Sequence, residues 1–99
     1  MAYRRISIDE AKALIEAGGV TIGDVRDADS FGDARIENAI HVAHETMDEF
    51  LALAAKDKPL LLYCYHGNSS QGAANYFSER GFVEIYSMDG GFEAWRQKY

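Results

Sequence analysis

Cys64 is the single cysteine of the chain, and what surrounds it suits a reactive sulfur. An apolar run, Leu60-Leu61-Leu62-Tyr63, leads into it, and the polar loop Tyr65-His66-Gly67-Asn68-Ser69-Ser70 follows. From Gln71 onward the pattern turns helical. A strand feeding a tight loop and then a helix brings loop amides and a helix N-terminus to one point, where they can hold an anion. A free thiol near pKa ~8.5 is only a few per cent thiolate at neutral pH, and half ionisation needs roughly 2 kcal/mol. A helix N-terminus supplies ~0.3–1 kcal/mol when exposed and up to ~2 when partly buried. Amide donors to the sulfur, at ~1.5–3 kcal/mol for a charge-assisted bond, must contribute the rest. Gly67 lets the loop turn, while Asn68, Ser69 and Ser70 add donors near the helix start. The structural alternative is an inert cysteine buried at a strand end.

Other cysteine chemistries fit less well. A phosphatase loop needs arginine six residues after the cysteine, because a phosphate dianion calls for a bidentate guanidinium. That position is Ser70, and the residue before the cysteine is Tyr63 where many such enzymes carry histidine. His66 shares the loop, but spacing alone does not bring it to the sulfur as a papain-like base. A second cysteine for dithiol redox work is absent. Attack on a sulfur donor, with release to an acceptor, needs only a thiolate and an anion cradle.

The elements that must position this loop follow in order. Tyr3–Ile6 reads as an edge strand. Ser7 and Glu10 form a capping box, and Ile8, Ala11, Leu14 and Ile15 share one helical face that ends at Gly18-Gly19. Val20–Val25 reads as a buried strand that delivers Asp24 and Arg26 to its carboxyl end; Asp24 is assigned to bracing the loop and Arg26 to structure. Residues 27–38 are polar and irregular, anchored by Phe31 and Ile36. Ala39–Val42 is a short strand. His41 and His44 lack a third ligand nearby and read as ordinary hydrogen-bonded histidines. Thr46 and Glu49 form a second capping box for an amphipathic helix carrying Met47, Phe50, Leu51 and Ala54. Ala73, Ala74 and Phe77 give the next helix its buried face. Phe82–Ser87 is the last strand, Asp89-Gly90-Gly91 a turn, and Phe92, Trp95 and Tyr99 the stripe of a closing helix. Strands alternating with helices imply an α/β domain with a mainly parallel sheet covered on both faces.

Composition bounds the partners. With 99 residues, 47% hydrophobic, the chain is expected to form one domain over 1–99. The net charge of -6 argues against nucleic acid or an anionic membrane surface. The opening stretch from Met1 to Ile6 lacks the apolar segment of a signal peptide, and Pro59–Cys64 is too short to span a bilayer. No cofactor or metal site is expected, and the cytoplasm is the expected compartment.

Cys64 to Ser70, with Asp24-Val25-Arg26 upstream and Asp89-Gly90-Gly91-Phe92-Glu93-Ala94-Trp95 downstream, resembles the rhodanese (thiosulfate sulfurtransferase) family, most closely its short bacterial single-domain type associated with glycerol metabolism. The resemblance implies a five-stranded, mainly parallel sheet and a ping-pong reaction. In that reaction Cys64 takes the sulfane sulfur of thiosulfate as a persulfide, sulfite leaves, and cyanide or a thiol acceptor such as thioredoxin receives the sulfur. Tyr65, His66, Gly67, Asn68, Ser69 and Ser70 are then the substrate-binding residues. The loop departs from many family members in carrying neither Arg nor Lys, so thiosulfate affinity is expected to be modest. Ala34, Arg35 and Asn38 also stand where the family usually has Gly, His and Gly; Arg35 is assigned to solvated surface rather than to the site. Two other readings stay open: a non-catalytic rhodanese-like module that carries sulfur or docks on a protein, and a redox-sensing thiol.

Overall fold

The computed structural model describes residues 3–99; Met1 and Ala2, part of the opening stretch read above, lie outside the described residues. Five strands form a single sheet: β1 (Arg4–Ile6), β2 (Thr21–Asp24), β3 (Ile40–His41), β4 (Leu60–Tyr63) and β5 (Ile85–Met88). Their order is β1-β5-β4-β2-β3, and all four pairings are parallel. The helices are α1 (Ile8–Ala17), α2 (Ala28–Asp33), α3 (Met47–Leu53), α4 (Ser69–Ser78) and α5 (Gly91–Lys98).

The apolar run before Cys64 is the middle strand, and all four of its residues are fully buried. Its side chains alternate between two cores. Leu60 and Leu62 join Phe50, Ala74, Phe77 and Ile85 on the α3/α4 face, whereas Leu61 and Tyr63 join Ala11, Ile22, Met88 and Phe92 on the α1/α5 face. The sheet is therefore covered on both sides, as the alternation of elements implies. The space beside Gly23 is filled by neighbouring side chains: a Cβ there would lie 2.8 Å from Leu62 Cδ2 and 3.0 Å from Val42 Cγ2. Those contacts explain a glycine inside a strand.

Several boundaries differ from the sequence reading. Residues 27–38 are not irregular throughout, because α2 lies within them, capped by the Asp27 carboxylate accepting the Ser30 amide at 3.0 Å. The capping box at Ser7 and Glu10 forms, with both reciprocal bonds present. The box at Thr46 and Glu49 does not. A 3-10 turn over His44–Thr46 runs straight into α3, and the Thr46 hydroxyl turns back to accept the Ala43 amide at 3.0 Å. Helix α4 begins at Ser69, two residues before the expected start, so Ser69 and Ser70 are its first turn rather than loop. The final strand begins at Ile85 because Phe82 and Val83 bond to Phe77 O and Lys56 O instead of to a neighbouring strand.

Candidate active site

The carboxyl ends of β2, β4 and β5 lie side by side, and the groups beyond them meet at one edge of the sheet, where open parallel sheets bind ligands. Asp24 closes β2 and leads to Arg26, Cys64 follows β4, and Asp89 follows β5.

Cys64 is 4% exposed. Its Sγ accepts the Gly67 amide at 3.2 Å and the Ser70 amide at 3.3 Å, with Ser70 Oγ 3.4 Å away. The sulfur thus takes the role of a helix cap. Asn68 stands at the N-cap of α4 but makes no side-chain capping bond, and the orphan amide of Ser70 turns to the sulfur instead. Burial pushes the Cys64 thiol up; the Ser70 hydroxyl and the amides of Ser70, Gly67 and His66 pull it down by more, leaving it below its ordinary value. The sulfur thus has amide donors, from Gly67 and Ser70, in addition to the N-terminus of α4.

Cys64, Tyr65, His66, Asn68 and Ser69 line a cavity of about 140 Å³. The amides of Tyr65, Asn68 and Ser69 meet no acceptor among the described residues and remain available to a ligand. Gly67 and Ser70 are buried beneath the cavity and serve the sulfur. Of the six loop residues named from the sequence, four therefore line the opening and two donate to the Cys64 sulfur. His66 is exposed, and its backbone amide, not its imidazole, acts on the sulfur.

The loop is fastened from three directions. Helix α5 donates its Phe92 amide to Cys64 O at 2.8 Å and its Glu93 amide to Tyr65 O at 3.1 Å. Gly91, at φ 60°, opens that helix, and a Cβ on it would lie 2.4 Å from Tyr65 C and O and 2.6 Å from Cys64 O. Only glycine lets the two backbones approach this closely. Gln71 Nε2 donates to Gly67 O at 2.9 Å, and Gln71 Oε1 accepts the Tyr3 hydroxyl at 3.0 Å. The Tyr65 hydroxyl bonds to the Asp27 carboxylate and lies 2.5 Å from Ser30 Oγ, tying the loop to the start of α2.

Beneath this lies a buried ion pair. Arg26 donates from its amide, Nε and Nη2 to the Asp24 carboxylate, the closest contact being 2.7 Å, and Nη2 also reaches Ala34 O at 2.5 Å. The guanidinium lies 4.2 Å from the Phe92 ring centroid, with the Tyr63 and Tyr65 rings nearby. Burial pulls the Arg26 pKa down and Asp24 raises it by more. Arg26 is thus committed to Asp24, to Ala34 and to the aromatic rings that carry the loop. Burial, and then Asp24, pushes the Tyr63 phenol up, so it stays protonated while accepting the Ile36 amide at 3.1 Å.

The remaining candidates lie outside the cavity. Arg35 is exposed, donates to Phe31 O at 2.9 Å and stacks on the Phe31 ring. His41 Nε2 donates to Arg26 O at 2.7 Å, and His44 is exposed. Asn38 takes φ 70°, a conformation asparagine tolerates better than most residues, which accounts for it standing where glycine is usual. One residue of the site went unremarked in the sequence. Ser87 Oγ lies 2.7 Å from Ser70 Oγ, and both side chains are fully buried. The signal was its phase on β5, which puts a hydroxyl on the same inward face as Ile85.

The family pattern of the rhodanese-like domain matches residues 7–98. The chain belongs to the rhodanese family. It is 45% identical over 97 residues to the thiosulfate sulfurtransferase GlpE of Tolumonas auensis, covering 98% of this chain and 92% of that protein. To the protein of the same name from Pseudomonas savastanoi pv. phaseolicola it is 47% identical over 97 residues, at 98% and 91% coverage. Among solved structures, a rhodanese-related protein from Thermoplasma volcanium superposes with a TM-score of 0.81 at 26% identity, covering 97% of this chain and 93% of that one. The rhodanese-like domain of Anabaena Alr3790 gives 0.84 at 24% identity, at 95% and 74% coverage, and shares the fold. The α/β, parallel architecture expected from the strand and helix pattern, and the five-stranded rhodanese fold that the resemblance implies, are thus the ones observed.

Proposed function

We propose that this protein is a thiosulfate sulfurtransferase, with Cys64 as the nucleophile and persulfide carrier. The observation that supports the reading is the sulfur itself, which is buried, accepts the amides of Gly67 and Ser70, and borders a cavity whose Tyr65, Asn68 and Ser69 amides have no partner among the described residues. Two curated relatives of near-equal length bear the name thiosulfate sulfurtransferase.

In the first half-reaction the Cys64 thiolate attacks the outer sulfur of thiosulfate. A Cys64–sulfur bond forms as the sulfur–sulfur bond of thiosulfate breaks, and its electron pair leaves with sulfite. The amides of Tyr65, Asn68 and Ser69 hold the sulfonate oxygens, so the donor's charge meets dipoles rather than a cation. In the second half-reaction cyanide, a thiol or thioredoxin attacks the terminal sulfur of the persulfide, and the thiolate is restored. The persulfide carries its charge on the outer sulfur, which would lie in the cavity beside the amides of Tyr65, Asn68 and Ser69. With no arginine or lysine in the loop, thiosulfate binding rests on hydrogen bonds alone, and a modest affinity is the expected outcome of a steady-state titration.

Intact-mass measurement after thiosulfate treatment tests the assignment. The wild-type protein gains one sulfur atom and loses it again on adding cyanide, whereas Cys64→Ser, still folded, gains none and transfers none. Near-wild-type transfer by Cys64→Ser would overturn the mechanism. A wild-type protein that takes up no sulfur would favour a docking module instead.

A further inference from the structure

Side chains on β5 alternate, with Ile85 and Ser87 toward α4 and Tyr86 and Met88 toward the other core. In register, Ser87 pairs with Leu62, two residues before Cys64. A hydroxyl at such a position must find a partner, and among the described residues the partner of Ser87 Oγ is Ser70 Oγ. Ser70 has one hydroxyl proton and two neighbours, Ser87 Oγ at 2.7 Å and Cys64 Sγ at 3.4 Å. Two directions run a proton relay through Ser70 from end to end. If the Cys64 thiol donates to Ser70, Ser70 donates to Ser87, and the Ser87 proton is left buried without an acceptor among the described residues. If Ser87 donates to Ser70, the Ser70 proton faces the sulfur, which is then best satisfied as an anion, and no proton is stranded.

We propose that Ser87 is a positioning residue for Cys64: its hydroxyl donates to Ser70 Oγ, turns the Ser70 proton onto the sulfur and so favours the thiolate. This rests on Cys64 being the nucleophile of the proposed transfer. The Ser70 hydroxyl is foremost among the bonds that draw the Cys64 thiol down against burial. Ser87 never reaches the cavity, so it acts through Ser70 alone.

The test is the pH dependence of Cys64 alkylation by iodoacetamide, which reads thiolate content and needs no thiosulfate. In Ser87→Ala the midpoint is expected to rise by roughly half a pH unit, the scale of removing one bond that polarises a charge-assisted hydrogen bond. In a Ser70→Ala background the same substitution moves the midpoint no further, because the middle of the relay is gone. The volume-matched pair Ser87→Thr and Ser87→Val keeps the test decisive if the alanine variant does not fold: Thr retains the wild-type midpoint more closely than Val. An unchanged midpoint in Ser87→Ala, or an equal shift with and without the Ser70 hydroxyl, would overturn the relay. If the wild-type protein loads sulfur while the Ser87→Ala midpoint is unmoved, the relay alone fails. If the midpoint moves but the wild-type protein loads no sulfur, the relay stands and the proposed transfer alone fails.

Discussion

Replacing Gly91 by alanine is expected to damage the site more than any change of one methyl group elsewhere on its rim. The new Cβ would sit 2.4 Å from Tyr65 C and O, while ordinary contact begins near 3.4 Å, so helix α5 and the loop must separate by about 1 Å. Holding alanine at φ 60° costs roughly 1–2 kcal/mol. The separation also stretches the bonds from Phe92 to Cys64 O and from Glu93 to Tyr65 O, at about 0.5–1.5 kcal/mol each. Together these give a loss of about 2–5 kcal/mol in stability. A displacement of ~1 Å at a reacting atom lowers turnover by about 100-fold. Urea titration and thiosulfate:cyanide kcat/KM on the same preparation read both effects. A Gly91→Ala variant within 1 kcal/mol of wild type (about fivefold in the folding equilibrium) and within about threefold in kcat/KM would refute the close approach as the origin of this glycine.

Gly72 gives the opposite sign. It is exposed within α4 and a Cβ there meets nothing within 4 Å, so Gly72→Ala is expected to add about 0.5–1 kcal/mol by urea titration. Asp24→Asn leaves the Arg26 charge buried without its counter-ion and is expected to cost about 3–5 kcal/mol, measurable as a lower denaturation midpoint. Because the folded protein holds the Cys64 pKa below its ordinary value, ionisation of the sulfur stabilises the fold above the unfolded thiol's pKa of ~8.5, and the benefit is lost as pH falls through the folded value. The stability of the wild type relative to Cys64→Ser should therefore rise between those two pH values, and a difference flat in pH would contradict an activated thiol.

The strand β4 was legible because it is an unbroken apolar run, and β2 because its apolar stretch ends in charge at Asp24. Leu60–Tyr63 has no polar residue to offer solvent and so had to be central. The first capping box was legible because Ser7 is extended and free to receive the Glu10 amide, whereas Thr46 is already inside a turn, at ψ 4°. Propensity does not reveal that difference. Helix α2 was hidden because it has no fully buried residue and so no periodic apolar signal. At the site, the sulfur and its loop could be named from spacing, but not the division of labour within it. Which amides face Cys64 and which face the cavity depends on where α4 begins, and that boundary moved by two residues. The fastening by Tyr3, Asp27, Phe92 and Glu93 joins residues remote in the chain and leaves no local pattern.

Synthesis runs from the amino end, and the parts of this site are made in an unfavourable order for early chemistry. Cys64 emerges well before β5, although β5 is the strand that joins β1 to β4. The amides that clamp the cysteine loop, from Phe92 and Glu93, emerge later still. A nascent chain that has already exposed its only cysteine therefore lacks the clamp that α5 places on the Cys64 and Tyr65 carbonyls, and its thiol is expected to be less activated than that of the folded protein. The fully clamped loop is expected only once the sheet has closed.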